Sequence, residues 1–188
     1  MLRPLPRKLV VLQDSREKIP LLFPKVLRVY RNGGALIPVE VRVEALDIGD
    51  YTLETLKGVF SLDTKRSTNE LTQNLFTKDR RRASLALDKL CSVKYPYLLL
   101  DFSLMASYKN GYRGRSCPAV DSAAVMERVF EEAAVRGLRL LWFADSTRTP
   151  AGRALVGDRV LRLMLAHLME EPNDSNDARE YPASPQNP

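Results

Sequence analysis

The chain has 188 residues, 45% hydrophobic and 28% charged, with 29 Lys and Arg against 23 Asp and Glu for a net charge of +6. That balance supports one domain with a sizeable core and argues against a disordered or fibrous chain. The lone histidine, His167, excludes chemistry that needs two or more imidazoles, including the helical zinc motif of metalloproteases.

No apolar run approaches the roughly 20 residues of a membrane helix, and the N-terminal Met-Leu-Arg-Pro-Leu-Pro-Arg-Lys lacks the apolar stretch of a signal peptide, so the expectation is an intracellular protein with no membrane partner. Cys91 and Cys117 have no second pair to form a zinc site or a disulfide framework and read as reduced and structural.

In chain order, Lys8 to Asp14 (KLVVLQD) is a short apolar run that predicts a buried strand. Val39, Val41 and Val43 alternate with Glu40, Arg42 and Glu44, the period of a half-buried strand. Two more strand-like runs, Tyr51 to Leu56 and Val59 to Thr64, are separated only by Lys57-Gly58 and read as a hairpin. Leu71, Leu75, Phe76, Ala83, Leu87 and Leu90 fall at near-helical spacing and predict a helix over 69–90. Tyr97 to Asp101 reads as a buried strand, Asp121 to Arg136 as a helix stopped by Gly137, and Leu138 to Phe143 as a further buried strand. Thr149 as N-cap and Pro150 at the first helical position open a last helix with Val156, Val160, Leu163, Met164 and Leu168 on one face. Residues 171–188 carry four of the twelve prolines, four acids and one arginine, and predict a disordered acidic tail after a folded body over 1–170. The body then holds 28 basic and 19 acidic residues, a net of +9 that is compatible with a polyanionic partner. Apolar strands interleaved with helices give an α/β class with helices on both faces of the sheet.

The hairpin has a geometry that can be worked out. With Lys57-Gly58 as a two-residue loop, Thr52 faces Asp63 and Asp50 faces Lys65. Alternation then puts Tyr51, Leu53, Phe60 and Leu62 on a core-like face and Asp50, Thr52, Ser61, Asp63 and Lys65 on the other. Two carboxylates and an ammonium on one rigid support suit Mg²⁺, which takes one or two carboxylates plus waters and substrate phosphate. The alternative is a surface Asp-Lys pair worth less than about 1 kcal/mol.

In order, KLVVLQDSRE, VEALDIGDY, FSLDTKRSTNEL and YPYLLLDFSL, then GLRLLWFADSTRTPAGRAL, resemble the XPF-type nuclease domain of the PD-(D/E)xK superfamily over residues 8 to about 165. The family pattern is Asp-x-Arg-Glu at a first strand, then Gly-Asp, then Glu-Arg-Lys. Asp14, Arg16 and Glu17 match the first element, Gly49 and Asp50 the second, and Asp63-Thr64-Lys65 the third, with Thr64 in place of arginine. The resemblance implies a restriction-endonuclease-like mixed central sheet flanked by helices. It further implies Mg²⁺ or Mn²⁺ held by Asp50 and Asp63, Lys65 assisting the water, and Asp14, Arg16 and Glu17 completing or supporting the site. The alternative slip, with Arg66 in place of Lys65, is rejected because strand parity turns Arg66 away from Asp63.

Several residues keep two readings. Ser67-Thr68-Asn69-Glu70 is a capping box, which makes Glu70 a cap rather than a metal ligand, and Arg16 with Glu17 forms either a structural ion pair or part of the site. Lys78, Arg80, Arg81 and Arg82 are a solvated helix face or phosphate contacts, as is Arg66, and Lys109, Arg113 and Arg115 sit among tyrosines in a loop suited to DNA. His167 and Trp142 read as packing residues.

The sequence therefore points to a metal-dependent DNA endonuclease, with branched or flap-like substrates and a homodimer or heterodimer through the nuclease domain implied by the resemblance. Its place would be with DNA, in the cytoplasmic nucleoid or, in a eukaryote, the nucleus. A catalytically silent or partner-dependent DNA-binding module is the second reading. An unrelated enzyme for small phosphorylated substrates is disfavoured by the lack of a glycine-rich phosphate loop.

Overall fold

A computed structural model describes residues 4–30, 34–76, 80–102, 122–143 and 146–171. Its first strand, β1 (Leu9–Asp14), is buried at every residue, because it runs inside the sheet with helices or loops on both faces. It pairs in parallel with β3 (Ala35–Glu44) and antiparallel with the short β4 (Tyr51–Leu53). Beyond β3 lies β2 (Val26–Val29), antiparallel, a strand too short and too mixed in polarity to show in the sequence pattern. On the other side follow β5 (Phe60–Lys65), β6 (Tyr95–Leu100) and β7 (Arg139–Trp142), the last three mutually parallel. The sheet order is β2-β3-β1-β4-β5-β6-β7, a mixed seven-stranded sheet among the described residues. Among the described residues four helices flank it: α1 (Thr68–Phe76), α2 (Arg80–Leu90), α3 (Ser122–Arg136) and α4 (Pro150–Glu170).

The two faces of the sheet bury two cores, and β6 shows how. Tyr95, Tyr97 and Leu99 join the α4 residues Val156, Val160, Leu161, Met164, Leu165 and Leu168, while Leu98 and Leu100 join Leu71, Leu75, Leu90, Val125, Met126 and Val129 of α1, α2 and α3. Alternation along the strand thus feeds both layers. The α4 cap is as expected: the Thr149 hydroxyl oxygen accepts the Gly152 N–H at 3.0 Å with Pro150 next in line. Gly157 lets this helix press on the chain at Leu22, whose carbonyl oxygen would lie 2.3 Å from any Cβ there. His167 packs in this layer, stacked on Tyr95 at 3.9 Å with its Nε2 hydrogen-bonded to the Tyr97 hydroxyl at 2.8 Å, and burial holds its pKa below the usual value.

Several details differ from the sequence expectation. The alternating valines do lie on a strand, but Val41 and Val43 are exposed while Ile37 is buried, because the α4 layer covers only the first half of β3. The helix expected over 69–90 is present as α1 and α2 on either side of residues 77–79, and Arg139–Trp142 is shorter than the run 138–143. The last concerns the hairpin. The chain does turn at Lys57-Gly58, where the Val59 N–H donates to the Leu56 carbonyl at 2.9 Å, but a 3₁₀ turn, Glu54–Leu56, stands between β4 and that reversal and buries Leu56, and the Thr52 hydroxyl donates to the Phe60 carbonyl at 2.7 Å. Tyr51 consequently pairs with Leu62 rather than Thr64. Since the offset is two residues, the side chains of β4 and β5 keep their expected faces, but Asp50 no longer lies across from Lys65.

Candidate active site

Gly49 and Asp50 enter β4 through a turn that only glycine accommodates. Gly49 has φ +64°, and a Cβ there would meet Ser61 Oγ at 2.3 Å and the Leu62 carbonyl oxygen at 2.9 Å. This close approach lets the Asp50 backbone N–H donate to the Leu62 carbonyl at 2.7 Å, while its carboxylate Oδ2 accepts the Thr64 backbone N–H at 2.7 Å. The Ser61 hydroxyl closes the same turn by donating to the Ile48 carbonyl at 2.9 Å. On β5 the Lys65 ammonium lies 2.6 Å from Asp63 Oδ2 and 3.5 Å from Glu70 Oε1.

The electrostatics follow from this crowding. Burial, and then the neighbouring Asp63 carboxylate, push the Asp50 pKa up to about 7, against the Thr64 N–H that favours the anion. Burial alone would lower Lys65, but Asp63, Glu70 and Asp50 outweigh it and raise the ammonium above its ordinary value. The lysine therefore stays charged at neutral pH.

Asp14 ends β1, and its backbone N–H donates to the Asp50 carbonyl at 2.8 Å. Burial pushes its carboxyl up, but the Arg16 guanidinium and backbone N–H outweigh that and hold it below the usual carboxylate range. Arg16 Nε lies 3.0 and 2.9 Å from the two Asp14 oxygens, with Nη2 at 2.6 Å from Oδ2. The Arg16 side chain is otherwise 71% exposed, so the pair is half support and half surface. Glu17 is turned differently: its Oε1 accepts the Ile19 N–H at 2.8 Å and lies 3.4 Å from Arg66.

Asp14, Arg16, Glu17, Asp50, Asp63 and Lys65 all line one cleft of about 1370 Å³ at the ends of β1 and β5, with Glu70, Arg81 and Arg82 on its walls. All six expected site residues are thus brought together. Arg80, Arg81 and Arg82 are exposed on α2, while Lys78, Lys109, Arg113 and Arg115 lie outside the described residues. Glu70 takes the cap position, its N–H donating to Ser67 Oγ and its Oε2 accepting the Arg66 N–H, each at 3.2 Å.

No family model and no curated protein matches the chain. Solved structures do. XPF from Aeropyrum pernix aligns at a TM-score of 0.51 and 19% identity, covering 86% of this chain and 69% of that one. The same protein in complex with DNA aligns at 0.53 and 19%, covering 85% and 66%. The chain has an XPF-type nuclease fold. Between Asp63 and Lys65, Thr64 is buried and its hydroxyl has no hydrogen-bond partner. The buried Asp101 at the end of β6 is a member of this region that the sequence pattern did not single out; its carboxylate accepts the Thr147 N–H at 3.2 Å. An acid closing a buried strand, followed by the Asp-Ser-Thr after β7, was the signal available.

Among the described residues no cluster of three or more His, Cys, Asp and Glu is arranged for metal binding; Asp50 and Asp63 are the carboxylates of the cleft that would hold a divalent cation. Burial, and then the Asp63 carboxylate, disfavour the Asp50 anion, a cost that Mg²⁺ or Mn²⁺ would relieve, with waters and a substrate phosphate supplying the remaining oxygens.

Proposed function

We propose that the chain is a Mg²⁺- or Mn²⁺-dependent endonuclease that hydrolyses DNA phosphodiester bonds. The observation that carries this reading is the placement of Asp50, Asp63 and Lys65 in one cleft, with Asp50 held near a pKa of 7 by burial and by Asp63. The solved complex of Aeropyrum pernix XPF with DNA supports DNA as the substrate. A bound divalent cation would neutralise phosphate charge and lower the pKa of a bound water. Asp50 and Asp63 are the residues that would hold it. Lys65, kept charged by its carboxylate neighbours, donates a hydrogen bond to the attacking water or to a phosphate oxygen. The water gives up a proton to solvent as its oxygen bonds to phosphorus, the opposite P–O bond breaks, and the leaving oxygen takes up a proton from solvent. Asp14 and Arg16 brace the strand end from which Asp50 projects, since the Asp14 N–H holds the Asp50 carbonyl. Branched or flap-like DNA is the substrate class that the resemblance suggests, with the protein acting alone or as a dimer through this domain.

Cleavage of labelled single-stranded, duplex and branched DNA with Mg²⁺ or Mn²⁺ tests the reading, with EDTA and Asp63→Ala as controls. Cutting that vanishes in both controls supports it. Cutting that persists in the folded Asp63→Ala protein overturns it. A second reading, a DNA-binding module without turnover, is favoured by one observation: Thr64 stands where the family motif has arginine. Tight DNA binding with no metal-dependent cutting by the wild-type protein would decide for it.

A further inference from the structure

We infer that Arg66 is a positioning residue of this site, a guanidinium bolt that fixes the ends of β1, β5 and β6 to one another, and that it does not contact DNA phosphate; the inference rests on the nuclease reading above.

Arg66 follows Lys65 at the end of β5. Its side chain is only one-fifth exposed. Nη2 donates to the Ile19 carbonyl and lies 3.4 Å from Glu17 Oε1, both in the loop after β1. Nη1 donates to the Thr147 hydroxyl and lies 3.6 Å from Asp101 Oδ2 at the end of β6. Asp101 in turn holds Thr147 through both its N–H and its hydroxyl, and the Asp101 backbone N–H donates to the Lys65 carbonyl at 2.9 Å. A planar guanidinium is suited to this work because its fixed fork reaches two directions at once, which an ammonium does not do. Asp101 is 2% exposed on its side chain and Glu17 11%, so the guanidinium faces two largely buried carboxylates at once. Those partners also explain its consequence for the site. The Lys65 backbone is held from the Asp101 side, and Glu17 belongs to the loop that starts at Asp14, whose N–H holds Asp50. Loosening the bolt would therefore let the lysine and the carboxylate pair drift relative to one another. The chain carries its guanidinium here, two residues beyond Thr64, which stands where the family motif has arginine.

The test compares Arg66→Gln, Arg66→Lys, Asp101→Asn and Arg82→Gln in the full chain, each checked for folding by circular dichroism. Turnover and KM on DNA are measured separately, together with the salt dependence of DNA binding in Ca²⁺ or without metal. The expected result is that Arg66→Gln and Asp101→Asn fold, lose about 10- to 100-fold in kcat as a small misplacement would cause, and keep the wild-type DNA affinity and salt slope. Arg66→Lys recovers only part of the loss. A phosphate contact predicts the opposite: a salt slope lower by about one and a raised KM at unchanged kcat for Arg66→Gln, as for Arg82→Gln, with Asp101→Asn fully active. That pattern overturns the inference while leaving the nuclease reading intact. If Arg66→Gln does not fold, the kcat of Asp101→Asn decides alone, wild-type turnover there overturning the inference. A wild-type protein that never cleaves DNA removes the nuclease reading and this inference together.

Discussion

The Asp50 carboxylate accepts the Thr64 backbone N–H at 2.7 Å, while the Asp50 N–H reaches the Leu62 carbonyl at the same distance. Asp50 thus grips β5 on either side of Asp63, and the two acids cannot separate to escape their repulsion. Removing either should abolish chemistry rather than weaken it. Asp50→Asn and Asp63→Ala are each expected to lower metal-dependent cleavage by at least about 100-fold, comparable to deleting one preorganised group of an electrostatic site. Single-turnover cleavage with saturating enzyme checks this without interference from product release.

The same crowding fixes a pH dependence. Asp50 must lose its proton to ligate a cation, and its pKa in the metal-free fold is about 7. Affinity for Mg²⁺ or Mn²⁺ is expected to rise as pH increases from 6 to 8, with proton release on binding. Isothermal titration in two buffers of different ionisation enthalpy would show that release, and its absence would refute the linkage.

Stability should move the other way. An unfolded Asp50 ionises near 3.8, whereas the folded one holds its proton up to about 7, so between these values the folded state binds more protons and stability falls as pH rises. Asp50→Asn, which cannot ionise, is expected to stabilise the metal-free protein at pH 8, by up to about 4 kcal/mol, and to leave it little changed near pH 4. Urea midpoints at the two pH values measure it.

Gly49→Ala meets two obstacles at once, a left-handed backbone and a Cβ inside contact distance of Ser61 Oγ and the Leu62 carbonyl. A loss of about 2–4 kcal/mol is expected from strain and overpacking combined. Ser61→Ala in the same chain removes the side-chain clash but not the backbone one, so it should rescue only part of the loss in thermal unfolding.

Arg81 and Arg82 stand exposed on the cleft wall rather than locked in a network. Arg81→Gln with Arg82→Gln is expected to weaken DNA binding across sequences and reduce the salt slope by up to about two, with kcat at saturating DNA nearly unchanged. Fluorescence anisotropy across a salt series tests this directly.

Much of the site was legible because strand alternation is a local rule. The segments around Asp14, Asp50 and Asp63-Lys65 follow or precede runs such as LVVLQD and FSLDTK whose burial is written in their composition, and the face each side chain occupies survives any even register offset. The Thr149 cap and the Gly137 stop, at φ +67°, were local in the same sense. Only the tertiary structure decided the rest. The register of the hairpin depended on Leu56 turning into a core built by α4, the position of β2 on its pairing with β3, and the exposure of Val41 and Val43 on where α4 ends its cover. Arg66 shows the division most sharply. Alternation turned it away from Asp63, but its partners Glu17, Asp101 and Thr147 lie 49, 35 and 81 positions away. Such partners become neighbours only when β1, β5, β6 and the turn before α4 are assembled, because long-range contacts are set by how layers pack and not by any local pattern.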